Sequence, residues 1–149
     1  MADKVKILIE GVEREVDPGR NVLQVILDEG LVIPHFCYHE ALGAVGSCRL
    51  CACQIAPAAD KPARLEMSCM VRPTEGMIVT VNEAYAKNFR RQVIEDLMLN
   101  HPHDCPVCDE GGECMLQDMR FSASTSIAAT GSRNARGSIN TLGPPFIMK

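Results

Sequence analysis

Residues 34–53 read Pro34-His35-Phe36-Cys37-Tyr38-His39-Glu40-Ala41-Leu42-Gly43-Ala44-Val45-Gly46-Ser47-Cys48-Arg49-Leu50-Cys51-Ala52-Cys53. Cys37, Cys48 and Cys51 follow the spacing C-x10-C-x2-C, and a further x17 interval leads to Cys69. A two-iron cluster needs four thiolates converging from one wrapped loop and one distant strand, and this spacing supplies them. Gly43 to Ser47 fill the loop with mostly small residues, and glycine lets backbone N–H groups approach sulfur. The first interval is longer than in the plant-type C-x4-C-x2-C pattern. Cys53 lies two residues beyond Cys51 on an expected strand, sharing a face with Ile55, and reads as a small buried hydrophobe rather than a ligand.

The flanking segments give this loop its frame. Val5, Ile7 and Ile9 alternate onto one face, and Gly11 permits a tight turn into Val12–Val16, which predicts a hairpin. Asn21 can cap a helix whose apolar Val22, Val25, Ile26 and Leu27 run up to Gly30, so a helix is expected at about 21–29. Ala52–Ile55, Arg64–Ser68 and Met77–Val81 read as strands, separated by the loop from Pro57 to Pro62. Asn82 with Glu83 then marks a helix start, and the row Tyr85, Phe89, Val93, Leu97 predicts a buried face widened by Ile94 and Met98. One more turn along that row lands on His101, which is expected to point inward, and Pro102 ends the helix there.

A second set of soft ligands follows at once: His101, Cys105, Cys108 and Cys114, spaced H-x3-C-x2-C-x5-C. Three thiolates and one imidazole close four corners, suiting a zinc Cys3His site or a four-iron cluster, and spacing alone does not decide between them. His103 is the rival to His101, but it lies off the helical row and only two residues from Cys105. The carboxylates Asp104, Asp109, Glu110, Glu113 and Asp118 surround this run; they read as solvated groups, or as negative charge that lowers a potential. Met67, Met70, Met115 and Met119 read as gap-fillers.

Composition narrows the chemistry. The 149 residues are 46% hydrophobic and 23% charged, with a formal net charge of -4 and only two Tyr, four Phe and no Trp, which argues against nucleic acid as a partner. No apolar run approaches a membrane span and the start lacks a signal-peptide pattern, so the chain reads as soluble and unexported, without membrane insertion. Eight cysteines are few for a disulfide scaffold and many for a reducing compartment, which makes metal binding the leading use. Residues 122–149 hold few large apolar side chains and are expected to form an irregular tail.

The motifs Pro34-His35-Phe36-Cys37-Tyr38-His39, Gly46-Ser47-Cys48-Arg49-Leu50-Cys51 and the run from Asn100 to Asp118 together resemble the N-terminal part of the G-subunit family, the large iron-sulfur subunit of NADH-quinone oxidoreductase (respiratory complex I). The resemblance covers most of residues 1–121. It implies an α+β architecture: a β-grasp, ferredoxin-like domain over residues 1–82 with a [2Fe-2S] cluster on Cys37, Cys48, Cys51 and Cys69. A small helical domain over 83–121 would follow, with a [4Fe-4S] cluster on His101, Cys105, Cys108 and Cys114, and then the tail over 122–149. Leu142-Gly143-Pro144 resembles the stretch before the family's next cysteine region, so the chain is expected to be a fragment.

The resemblance further implies an electron relay with no catalytic residue of its own, passing single electrons from the NADH/flavin subunit toward quinone. Its partners would be that flavin subunit and other hydrophilic-arm subunits, on the cytoplasmic, inner face of a bacterial membrane. Two other readings stand beside it: the cluster module of an iron-only hydrogenase or NAD-linked formate dehydrogenase, and a zinc-stapled interaction module without redox function. A Rieske-like site on His35 and His39 is set aside because four cysteines are already available.

Overall fold

The computed structural model describes residues 4–120. It divides into two compact units, one ending at His101 and the other beginning at Pro102. The expected tail over 122–149 lies outside the described residues.

In the first unit, strands β1 (Val5–Ile9) and β2 (Val12–Val16) form the expected hairpin, with Ile9 opposite Val12. The two-residue loop requires positive φ at both positions, and Glu10 (φ 49°) and Gly11 (φ 80°) provide it. Helix α1 (Val22–Asp28) starts at Asn21, whose side chain accepts from Gln24 N–H while the Gln24 side chain accepts from Asn21 N–H. This reciprocal capping box pins the helix start. The short pair β3 (Tyr38–His39) and β4 (Gly43–Ala44) forms a separate two-stranded sheet.

Strands β5 (Ala52–Ala56), β6 (Arg64–Met67) and β7 (Ile78–Thr80) complete the main sheet in the order β2-β1-β7-β5-β6. Only β1 and β7 run parallel; the other pairs are antiparallel. Ile7, Ile9, Ile55, Val79 and Val81 from the sheet side join Val22, Leu23, Val25 and Ile26 of α1 in one buried core. The strand expected over 64–68 stops at Met67 because Ser68–Met70 winds into a single 3₁₀ turn, which packs against α1.

Helix α2 (Ala84–Asn100) forms as expected, capped by the Glu83 carboxylate, which accepts from Ala86 N–H. Backbone N–H groups of Tyr85 and Ala86 hold that carboxyl below its ordinary range. Its buried row differs from the expected one. Ala86, Arg90 and Ile94 are buried, whereas Tyr85 and Leu97 are exposed and Phe89 and Val93 are half-buried. The cause is Arg90, whose guanidinium donates to Ala52 O at 2.5 Å and Val81 O at 2.9 Å and so turns the helix about one residue from the apolar reading. His101 consequently is exposed rather than inward, although Pro102 ends the helix as foreseen and holds His101 extended at φ -94°, ψ 134°.

The second unit is built from turns: a 3₁₀ turn at Cys105–Val107, further turns to Glu113, and helical backbone over 115–120. No helix among the described residues is long and apolar enough to cross a membrane. Because Leu23 is fully buried beneath the sheet, Leu23→Ala is expected to lower stability by about 2–5 kcal/mol in chemical denaturation of the chain.

Candidate iron-sulfur sites

Cys37 and Cys48 flank the β3–β4 pair on its N- and C-terminal sides, and their sulfurs lie 3.3 Å apart. Backbone donors face both: Cys48 N–H reaches Cys37 Sγ at 3.3 Å, and Phe36 N–H reaches Cys48 Sγ at 3.5 Å. Burial pushes the Cys37 thiol up, but hydrogen bonds from Cys48 and Ser47 outweigh it and bring the value down to about 6. Such a thiol is mostly thiolate at neutral pH, the form that ligates metal. The loop reaches this geometry through two left-handed residues, Gly46 (φ 73°) and Arg49 (φ 61°). The left-handed φ of Gly46 favours glycine, and a Cβ there would also displace the exposed Met70 side chain, 2.9 Å away.

Cys51 and Cys69 are buried and held together by Ser68. The carbonyl of Cys51 accepts from the Ser68 hydroxyl at 2.8 Å and from Ser68 N–H at 3.2 Å. Burial pushes the Cys69 thiol up to about 12, reinforced by its hydrogen-bonded neighbour Cys51 and by the charges of Cys37 and Cys48. The four thiols thus sit close enough to oppose one another's ionisation. A cationic iron core relieves that repulsion, and the soft donor set suits iron and sulfide, so these residues fit a cluster. All eight cysteines are free thiols.

Cys53 is fully buried on β5, and burial pushes its thiol up to about 12, which keeps it neutral as a packing residue. His35 Nδ1 donates to Ile33 O at 3.0 Å and its ring meets Tyr38 edge-on, while His39 Nδ1 accepts from Ala41 N–H at 3.2 Å. Both histidines therefore hydrogen-bond beside the loop.

In the second unit Cys105 and Cys108 are exposed and Cys114 is half-buried, carried on consecutive turns closed by Val107 N–H to Asp104 O and Gly111 N–H to Cys108 O, each 2.9 Å. A Cβ on Gly111 would sit 2.5 Å from Cys105 O and 3.0 Å from Cys108 O, so only glycine lets the backbone fold back onto the two cysteines. This tight, thiol-bearing wrap fits a cluster loop. His101, by contrast, is the last residue of the first unit, at an exposed depression lined by Val93, Asp96, Leu97 and Asn100. His103 is exposed in the second unit. Among the described residues no three His, Cys, Asp or Glu side chains close on a single-ion position. The carboxylates Asp104, Asp109, Glu110, Glu113 and Asp118 are exposed, as solvated groups would be. Of the methionines, Met67 fills the core, while Met70 and Met115 are exposed and do not act as gap-fillers.

Sequence reasoning missed Ser68 and Arg90. A serine beside a ligand carries no distinctive pattern. Arg90 leaves a trace, since the spacing Ala86, Arg90, Ile94 places one cation in a row that is otherwise apolar.

Comparison with known proteins agrees with this geometry. The family described as a 2Fe-2S iron-sulfur cluster binding domain matches residues 2–84, and the NADH-ubiquinone oxidoreductase-G iron-sulfur binding region matches residues 90–122. The NADH-quinone oxidoreductase G-subunit of Buchnera aphidicola is 48% identical over 81% of this chain and 14% of its own length. The protein of the same name from Shewanella oneidensis is 54% identical over 76% of this chain and 12% of its length, and that from Escherichia coli is 52% identical over 76% and 13%. The chain therefore spans about an eighth to a seventh of these relatives. A crystal structure of an NAD+-reducing [NiFe]-hydrogenase in the H2-reduced state aligns with TM-score 0.70 and 30% identity, covering 80% of this chain and 49% of that one. With the thiol loop, the sheet and these matches in agreement, the chain belongs to the 2Fe-2S iron-sulfur cluster binding domain family, joined here to the iron-sulfur binding region of NADH-ubiquinone oxidoreductase-G.

Proposed function

We propose that this chain is the N-terminal electron-relay segment of the large iron-sulfur G-subunit of an NADH-quinone oxidoreductase, passing single electrons from a flavin-bearing NADH subunit toward quinone. The observation that carries this reading is the grouping of four thiols into two pairs, Cys37 with Cys48 and Cys51 with Cys69. Such pairs would suit the two irons of a [2Fe-2S] cluster. Residues 1–82 form the β-grasp, ferredoxin-like part that holds it. Residues 83–121 hold a [4Fe-4S] cluster on His101, Cys105, Cys108 and Cys114, and 122–149 lead into a further domain. The partners are the flavin subunit and its hydrophilic neighbours, with the assembly peripheral on the inner membrane face.

When bound, the clusters supply the one-electron chemistry. The protein's own part is to fix their positions and to set their potentials through ligand identity, hydrogen bonds to sulfur and nearby charge. Cys48 N–H and Phe36 N–H already aim at sulfur, and such bonds favour the more negative, reduced state. Neutral imidazole at the second site removes one negative charge and raises its potential, as histidine ligation does in Rieske centres.

Anaerobic preparation of the chain tests the ligand set by iron analysis with low-temperature EPR. Cys51→Ala is expected to abolish the two-iron signal and Cys53→Ala to preserve it; the reverse pattern, or a colourless chain containing zinc, would overturn the assignment. Redox titration of His101→Cys is expected to give a lower four-iron potential than the parent chain, and an unchanged or higher value would refute His101 as a ligand.

A further inference from the structure

The only buried charged side chain among the described residues is Arg90, and it belongs to no established part of a cluster site. It reaches from α2 to the wall of the first thiol group. Its Nη1 donates to the carbonyl of Ala52, the residue next to Cys51, and its Nη2 donates to the carbonyl of Val81. Neither acceptor carries a net charge. Among the described residues no carboxylate stands within ion-pair distance of it. The titratable groups that face it are the thiols of Cys53 and Cys51 and, less strongly, the Glu10 carboxylate.

Burying an uncompensated guanidinium is costly, since hydrogen bonds to carbonyls repay only part of the lost hydration. Packing alone would be served better by Leu or Met, which match the apolar row of Ala86 and Ile94. Beyond the more distant Glu10 carboxylate, the cation would find a counter-charge in a cluster on the four thiolates, because such a cluster is anionic and becomes one unit more negative on reduction.

We infer that Arg90 is a positioning residue that raises the reduction potential of the [2Fe-2S] cluster, by holding a fixed positive charge against the backbone that follows Cys51. The inference rests on the ligand set proposed above. Reduction adds one electron to the cluster and takes no proton from Arg90; the guanidinium stays protonated throughout, and its field favours the state with more negative charge. The same side chain ties α2 to the end of β7 and the start of β5.

The test is an anaerobic redox titration of the full chain, followed by the EPR signal of the reduced two-iron cluster, in the parent, Arg90→Gln and Arg90→Lys. Arg90→Gln removes the charge and is expected to shift the oxidised-to-reduced ratio threefold to tenfold toward oxidised, about 30–60 mV lower for a one-electron couple. Arg90→Lys retains the charge and is expected to shift it less than threefold. An unchanged potential in Arg90→Gln, or a threefold or larger drop in Arg90→Lys, would overturn the inference. If Arg90→Gln does not retain its cluster, the Arg90→Lys titration decides by the same threshold. Absence of any two-iron signal in the parent would instead refute the ligand set itself.

Discussion

Four sulfur atoms that resist sharing one neighbourhood are the constraint on which the first unit turns. Burial disfavours each thiolate and neighbouring thiolates repel one another, and both effects push the Cys69 thiol up. The fold holds them together from three sides. The segments on either side of the β3–β4 pair present Cys37 and Cys48, the approach to β5 brings in Cys51, and the 3₁₀ turn packed on α1 delivers Cys69. Ser68 fastens the last two through the Cys51 carbonyl. The core of α1 against the sheet is therefore what keeps the thiols in place before any metal arrives.

Helix α2 extends this arrangement. A helix carrying a conventional apolar stripe would lie on the sheet by its Tyr85, Phe89 and Val93 face. Instead the Arg90 fork takes up the carbonyls of Ala52 and Val81, and Glu10 Oε1 accepts from both Val81 N–H and Asn82 N–H, at 2.6 and 2.7 Å. Polar contacts at the sheet's end thus set the rotation of the helix, at the expense of leaving part of its apolar face exposed.

Much of this was legible in the chain. Alternating Val5, Ile7 and Ile9 with Gly11 specified the hairpin, Asn21 specified the start of α1, and Pro102 specified the end of α2, because in each case local backbone chemistry decides the outcome. Spacing and strand alternation set Cys37, Cys48, Cys51 and Cys69 apart from Cys53 as an expectation, and the structure brings the Cys37 and Cys48 sulfurs together and buries Cys53 on β5. The facing of α2 was not legible, because apolar periodicity assumes that hydrophobic burial ranks first, and one bidentate guanidinium overrode it. The orientation of His101 failed with it, being extrapolated from the same row. Gly46 and Gly111 were visible as glycines, but what crowds them, a Met70 side chain and two cysteine carbonyls, is a property of the folded chain.

The central claim is that one short polypeptide carries a two-iron and a four-iron centre side by side in sequence. Mössbauer spectroscopy of the chain loaded with iron-57 under anaerobic conditions tests it most directly. The account predicts two components, with about one third of the iron in the two-iron centre and two thirds in the four-iron centre, following the two cluster types. A spectrum with a single kind of centre, or iron bound only as isolated ions, would contradict it.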